Sequence, residues 1–406
     1  MGKKRNGWKA PILLLISIGI SSIGNFIYLV AINIIVYRLT GSAAAVAGLW
    51  IVGPLTNIFT KFWTGSFIDY RSKRQVMVTT YLIRALFIGF IPFAPNIAVI
   101  YAILIILNAA NAFFTPASVT YMTMLVPKEK RKRFNAFRSF ADSGAFIVGP
   151  AVGGALMIWT SVEIVLWINV LFFIIPALLF LFLPEMETIE KERIPKLTIS
   201  QVLYDFTIVI KFMSDSRYVS SIYIAYILLI IFTFAMDAQE VVFTQQVVGL
   251  TELEYSLLIS ITGIGSVAGA ALLSIVSNRI PLKKMIASGL IMMTVGYVIY
   301  AFSWSFASVA AGFIILGFFH VFFNAGMMTF YQNNIPTEIM GRVTSIYQFI
   351  QSALQILFVL AVGIMADYFS LRITIVTLAL VMLFLSIVFA ASVMRRDKEI
   401  YFKEVV

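Results

Sequence analysis

The sequence predicts an all-α membrane protein with twelve transmembrane helices in two pseudo-symmetric six-helix halves. Three observations lead there. Of 406 residues, 61% are hydrophobic and 12% charged, where a water-soluble chain carries about 25% charged residues. Apolar stretches long enough to cross ~30 Å of hydrocarbon recur along the whole length. The chain also repeats itself. A shift of 209 positions lays Pro127 on Pro336, Glu129 on Glu338, Arg133 on Arg342, Phe113-Phe114 on Phe322-Phe323, Phe140 on Phe349, Ser143 on Ser352 and Gly154 on Gly363. Paired halves of spanning helices are the sequence mark of proteins that hold a small molecule near the bilayer midplane and rock around it.

Breaks at Pro, Gly and charge clusters place the spans at 10–37, 43–68, 75–94, 98–126, 134–158, 163–183, 218–246, 253–277, 284–303, 306–334, 341–366 and 371–394. The first apolar run is far longer than a signal-peptide core of about 7–15 residues, so it reads as the first transmembrane helix. Loops alternate in charge. One set carries Lys3, Lys4, Arg5 and Lys9, then Arg71, Lys73 and Arg74, then Lys128 to Arg133, then Arg279, Lys283 and Lys284, then Arg342, and finally Arg395, Arg396 and Lys398. The other set has only Arg38 and Arg372 at its edges. The positive-inside rule puts both termini in the cytoplasm of a multi-pass protein of the cell membrane. The net charge of +11 is thereby explained by orientation, and no nucleic-acid partner is expected.

The halves are residues 1–183 and 218–406, joined by the polar stretch 184–217. After Pro195, Leu203, Phe206, Ile210 and Met213 recur at helical spacing, which predicts a short amphipathic helix in the cytoplasmic interface. Without cysteine and with the single histidine His320, thiol chemistry and a multi-His metal site are excluded. No nucleophile–base pair or phosphate loop stands outside the apolar spans, so no enzyme, metal or cofactor is expected.

Ionisable groups inside a bilayer cost at least ~2.5–3.5 kcal/mol each. Lys61, Arg84 and Asp142 lie eight or nine residues from the basic ends of spans two, three and five, about 12–14 Å deep at ~1.5 Å per residue. Two readings stand side by side: a structural charge layer around Asp142, or a coupling role for that acid. Asp237 and Glu240 are three apart on one face of span seven, and no Lys or Arg lies deep in any second-half span. Unpaired carboxylates in a dehydrated cavity exchange protons near neutral pH; in a wet vestibule they would merely sit ionised. His320 falls on Asn111 under the repeat shift. Asn25 and Asn324 are further candidate polar contacts in the spans.

The loop Gly65-Ser-Phe-Ile-Asp69-Tyr-Arg71-Ser-Lys73-Arg74 resembles the signature of the major facilitator superfamily between its second and third helices. Tyr70 and Ser72 depart from the usual Arg and Gly, and the repeat-related position of Asp69 is Asn278. Span five holds Gly149-Pro150-Ala-Val-Gly153-Gly154, which resembles a motif of drug–proton antiporters. There Pro removes a backbone hydrogen bond and the glycines allow a tight helix contact. Thr40-Gly-Ser-Ala43, Ala112-Phe-Phe-Thr-Pro116-Ala and Leu125-Val-Pro-Lys-Glu129 are similar to the macrolide and multidrug efflux branch.

The resemblance implies a major facilitator fold and proton-coupled export of lipophilic small molecules by a monomer, the activity that underlies efflux-based antibiotic resistance. The proton gradient would be its energy source. It further implies that the Gly65–Arg74 loop latches the halves and that spans four and ten line the cavity, making Asn111 and His320 substrate contacts. It also places Arg38 near span seven, where it could pair with Asp237 or Glu240 in a closed gate. Siderophore export, lysophospholipid movement and a non-transporting scaffold or receptor are the alternatives.

Overall fold

A computed structural model describes residues 8–40, 43–187 and 198–403, and no strand occurs among them. The first half supplies α1 (Lys9–Thr40), α2 (Ala43–Asp69), α3 (Lys73–Phe90), α4 (Ile97–Leu125), α5 (Lys128–Trp159) and α6 (Val162–Leu181). After α7 (Ile199–Asp215) come α8 (Arg217–Ala238), the short α9 (Glu240–Val242) with a π turn (Phe243–Val247), α10 (Glu252–Val276), α11 (Leu282–Ala301), α12 (Phe306–Asn334), α13 (Met340–Phe369) and α14 (Leu371–Met394). Among the described residues, ten helices are long and apolar enough to cross a membrane. The 27-residue α2 and 30-residue α13 complete twelve long helices.

Short polar side chains set several of the starts by satisfying first-turn N–H groups. Ser72 accepts from Gln75 N at 3.2 Å and Asn96 from Val99 N at 3.1 Å. Thr251 and Glu254 form a reciprocal capping box at α10.

The chain divides into two compact units. One comprises residues 1–127, 144–212 and 335–349, the other residues 128–143, 213–334 and 350–406. The division is therefore not a single cut, because the opening of α13 groups with the first unit and that of α5 with the second. In the first, Tyr81, Phe114 and Phe180 form a ring cluster, with the Phe centroids 4.5 and 5.3 Å from that of Tyr81, and the Tyr81 hydroxyl meets Ser21 Oγ at 2.6 Å. The second is filled by Tyr297, Tyr300, Phe313, Phe323 and Phe330. Large apolar side chains such as Phe59, Ile275 and Phe384 are left exposed, the inverse of a water-soluble surface and suited to lipid.

One expectation needs revision. Span seven, read as one helix over 218–246, stops at Ala238 and resumes only as α9 and a π turn. In α7 the buried line is Val202, Asp205 and Val209, while Leu203 and Ile210 are exposed. Asp205 turns that face inward because it meets a buried arginine, and Ile199, Leu203 and Ile210 are left on the outside. Residues 188–197 of the linker lie outside the described residues.

Candidate functional site

The first cluster is built where α2 meets the opening turn of α13, within the first unit. Gly65 and Asp69 are one turn apart, so both face α13. A Cβ on Gly65 would lie 2.7 Å from the Arg342 Cα; only glycine lets the helices approach so closely. One turn on, Asp69 Oδ1 accepts from Gly341 N at 2.9 Å, and Oδ2 accepts from Arg342 N at 3.1 Å and Arg342 Nε at 2.7 Å. A carboxylate thus caps the positive end of α13 and forms an ion pair at the same time. Beside it Thr64 and Ser345 hydroxyls meet at 2.9 Å.

Arg342 serves a second acid. Its NH1 donates to Asp205 Oδ1 at 2.9 Å, and the Tyr70 hydroxyl lies 3.3 Å from the same nitrogen. Both carboxylate side chains are 1% exposed and that of Arg342 8%. Removing one member of a buried pair costs roughly 3–5 kcal/mol when it strands a charge. The other basic residues of the loop have different partners. Lys73 pairs with Glu187 at 2.5 Å and Arg74 with Glu185 at 2.7 Å, and Ser72 Oγ also donates to Glu185. Arg71 lies over the Phe67 ring, 3.9 Å from its centroid, and makes no ion pair among the described residues.

On α5, the Gly149 position abuts Phe26 of α1, where a Cβ would collide with that side chain. A Cβ on Gly153 would reach ordinary contact with Ile27, at 3.5 Å, and one on Gly154 would meet nothing within 4 Å. Pro150 lies inside the helix. Gly149 and Gly153 therefore form the α1 contact face and Gly154 does not.

The second cluster surrounds the break in α8, within the second unit. Asp237 is in the last turn before the break and Glu240 opens α9 beyond it, with Gln239 between them. The Tyr297 hydroxyl of α11 donates to Asp237 Oδ1 at 2.8 Å. Tyr255 of α10 hydrogen-bonds Glu240, whose Oε1 is buried without a partner. Neither acid makes an ion pair among the described residues, and neither does exposed Arg38 at the end of α1. Interrupted helices of this kind give side chains and free backbone groups access to a binding cavity, and π turns recur at functional positions.

The remaining candidates scatter. Asp142 faces Arg138 Nε at 3.6 Å, one turn back on its own helix. Arg84 donates to Asn25 Oδ1 and lies 4.3 Å from the Phe173 centroid. Lys61 lines a small crevice with Asp205, Phe206 and Arg342. Lys61 and Arg84 make no ion pair among the described residues, so equal depth does not bring them into a shared charge layer. Half-buried His320 and exposed Asn111 and Asn324 have no side-chain hydrogen bond among the described residues. Between α3 and α4 lies an apolar cavity of about 830 Å³, walled by Val76, Ile83, Ile106 and Phe113, whose polar lining includes Arg71, Gln75, Glu185 and Glu187.

Sequence reasoning named Arg342 only as a loop cation and a repeat-related residue, and passed over Asp205, Tyr297 and Tyr255. For Arg342 a signal existed, since it falls on Arg133 under the repeat shift. The others are single polar residues in apolar or amphipathic helices, and only packing reveals them.

Twelve long helices and a chain that repeats itself are the architecture of a polytopic membrane protein of the transporter class. The family model described as Major Facilitator Superfamily matches residues 14–359 and 245–403, and the chain belongs to that superfamily. Among curated relatives, the multidrug efflux pump Tap of Mycolicibacterium fortuitum is 27% identical over 163 residues, 37% of this chain and 40% of that protein. The MFS-type transporter YfiS of Bacillus subtilis is 25% identical over 189 residues, 46% of this chain and 45% of that protein. The chain thus spans less than half the length of the curated relatives it matches. Among solved structures, FucP in its outward conformation aligns with a TM-score of 0.76 at 14% identity, over 96% of this chain and 99% of that one. A bacterial homologue of the iron transporter ferroportin aligns with 0.74 at 15% identity, over 95% and 98%. At these identities the structures speak to the fold.

Proposed function

We propose that this transporter exports lipophilic small molecules across the cell membrane in exchange for protons, working as a monomer with both termini cytoplasmic. The observation that carries the reading is the interruption of α8 between Asp237 and Glu240, two acids without an ion pair. A carboxylate held by a tyrosine rather than a cation can take up a proton without stranding a buried positive charge. Asp142, by contrast, has Arg138 beside it, which favours the α8 acids as the proton carriers. The efflux name of the Tap relative and the Gly149–Gly154 motif support outward transport.

The proposal is tested in vesicles carrying the purified protein, by following a fluorescent lipophilic dye under an imposed pH gradient. Movement should stop when an uncoupler collapses the gradient. Equal movement with and without the gradient would remove the antiport claim.

One observation favours a second reading, movement of a lysophospholipid. The cavity between α3 and α4 combines apolar walls with the guanidinium of Arg71, a fit for one acyl chain and a phosphate, while the Glu185 and Glu187 carboxylates in the same lining are paired with Arg74 and Lys73. A fluorescent lysophospholipid in the same vesicles separates the two.

A further inference from the structure

The two halves treat their repeat-related loops differently. In the first half Asp69, Glu185 and Glu187 neutralise Arg342, Arg74 and Lys73, and Ser72 caps α3. Shifting by the repeat replaces Asp69 with Asn278, Ser72 with Pro281, Glu185 with Met394 and Glu187 with Arg396, while Lys73 becomes Leu282 and Arg74 becomes Lys283. One of the two cations stays, at Lys283, while each of these acids and the hydroxyl cap are gone.

The structure shows what occupies that place. A pocket of about 330 Å³ in the second unit is lined by Lys132, Arg279, Lys283 and Lys403, with Glu399 as its one carboxylate among the described residues. Lys132 is 4% exposed, and its Nζ donates to Ile280 O at 2.7 Å, holding the α10–α11 turn against the pocket. Lys283 Nζ donates to Arg395 O at 2.6 Å. Arg279, Lys283 and Lys403 make no ion pair among the described residues. The same turn leads into α11, whose N-cap Pro281 offers no side-chain hydrogen bond to the first-turn N–H groups. Four cations around an uncapped helix start form a strongly positive enclosure.

We propose that this pocket binds a phosphate-bearing anion, seated between Lys132, Arg279 and Lys283 at the start of α11. The ligand supplies from outside the chain the negative charge that the first half carries as Glu185 opposite Arg74. The same chemistry is presented by an anionic phospholipid headgroup in the leaflet at the basic end and by a free organic phosphate.

Two arms distinguish the sources. Purified protein is mixed in detergent with phosphatidylglycerol or with phosphatidylcholine, and separately with glycerol 3-phosphate, and bound ligand is counted by native mass spectrometry alongside thermal melting. The wild type should retain phosphatidylglycerol, or glycerol 3-phosphate, several-fold over phosphatidylcholine. Arg279→Gln with Lys283→Gln should cut that retention at least about threefold, and Arg396→Gln, outside the pocket, should leave it unchanged. Retention of the lipid alone assigns a headgroup site; retention of the free phosphate assigns a soluble ligand. Should the double variant fold poorly, the exposed Arg279→Gln alone carries the test. Wild-type retention in the pocket variants, or no preference for either anion in the wild type, overturns the proposal.

Discussion

Asp69 and Asp205, brought from α2 and α7, share one guanidinium: Arg342 Nε bonds the first and NH1 the second. The linker helix is thereby joined to the signature loop through a single buried cation. Losing the cation should cost more than losing either acid, because it strands two carboxylates. Arg342→Gln is expected to lower the melting midpoint more than Asp205→Asn, which leaves Asp69 on Arg342. A wild-type midpoint in Asp205→Asn would show that Asp205 is a bystander.

Asp69→Asn keeps the shape of the cap and removes its charge. Transport should fall at least about tenfold while folding and substrate binding stay nearly intact, measured by dye transport and equilibrium binding on one preparation. Wild-type rates would mean that Tyr70 and Ser72, the departures in this loop, have already retired the latch.

The glycines of α5 separate packing from mere sequence pattern. Gly149→Ala puts a methyl into Phe26 and should destabilise by about 1–3 kcal/mol, the usual cost of overpacking. Gly154→Ala meets nothing within 4 Å and should be neutral or slightly stabilising, since alanine is the better helix former. A chemical-denaturation series on both variants reads this directly, and the reverse order would contradict the assigned contact face.

Neutralising both acids at the helix break, Asp237→Asn with Glu240→Gln, should uncouple export from the pH gradient. Tyr297→Phe should weaken the coupling without abolishing it, because it removes one hydrogen bond of about 1 kcal/mol. Asp142→Asn serves as the rival. If it alone abolishes pH-dependent export while the double variant retains it, coupling belongs to α5.

Orientation is checked with engineered cysteines, convenient because the native chain has none. A Cys at Asn96 should react with an impermeant thiol reagent in intact cells and one at Ser214 should not. The opposite pattern inverts the topology.

The fold was legible because bilayer physics writes it into composition: apolar length, loop charge and the repeat suffice to place twelve long helices. The Gly65–Asp69 spacing also carried its meaning, since a one-turn interval puts both residues on one face. What stayed hidden depends on partners distant in sequence. Asp205 looks like an ordinary polar residue of an amphipathic helix until Arg342, 137 positions away, is folded beside it. Equal depth suggested a layer of Lys61, Arg84 and Asp142, but depth says nothing about azimuth, and Arg84 turns to Asn25 instead. The break in α8 left no proline or glycine as a signal, because Gln239 ends the helix.

That break has a mechanical consequence. The hydrogen-bond ladder of α8 closes at Gln239, whose N–H reaches back to Met236 O at 3.1 Å, and the next stretch keeps its own ladder, with Val248 N on Phe243 O at 3.1 Å. The two segments are separate rods on a one-residue joint, with Asp237 on one rod and Glu240 on the other. Rotation at the joint would spread or close the two carboxylates while leaving both ladders whole, so the gap between the acids can change without melting a helix.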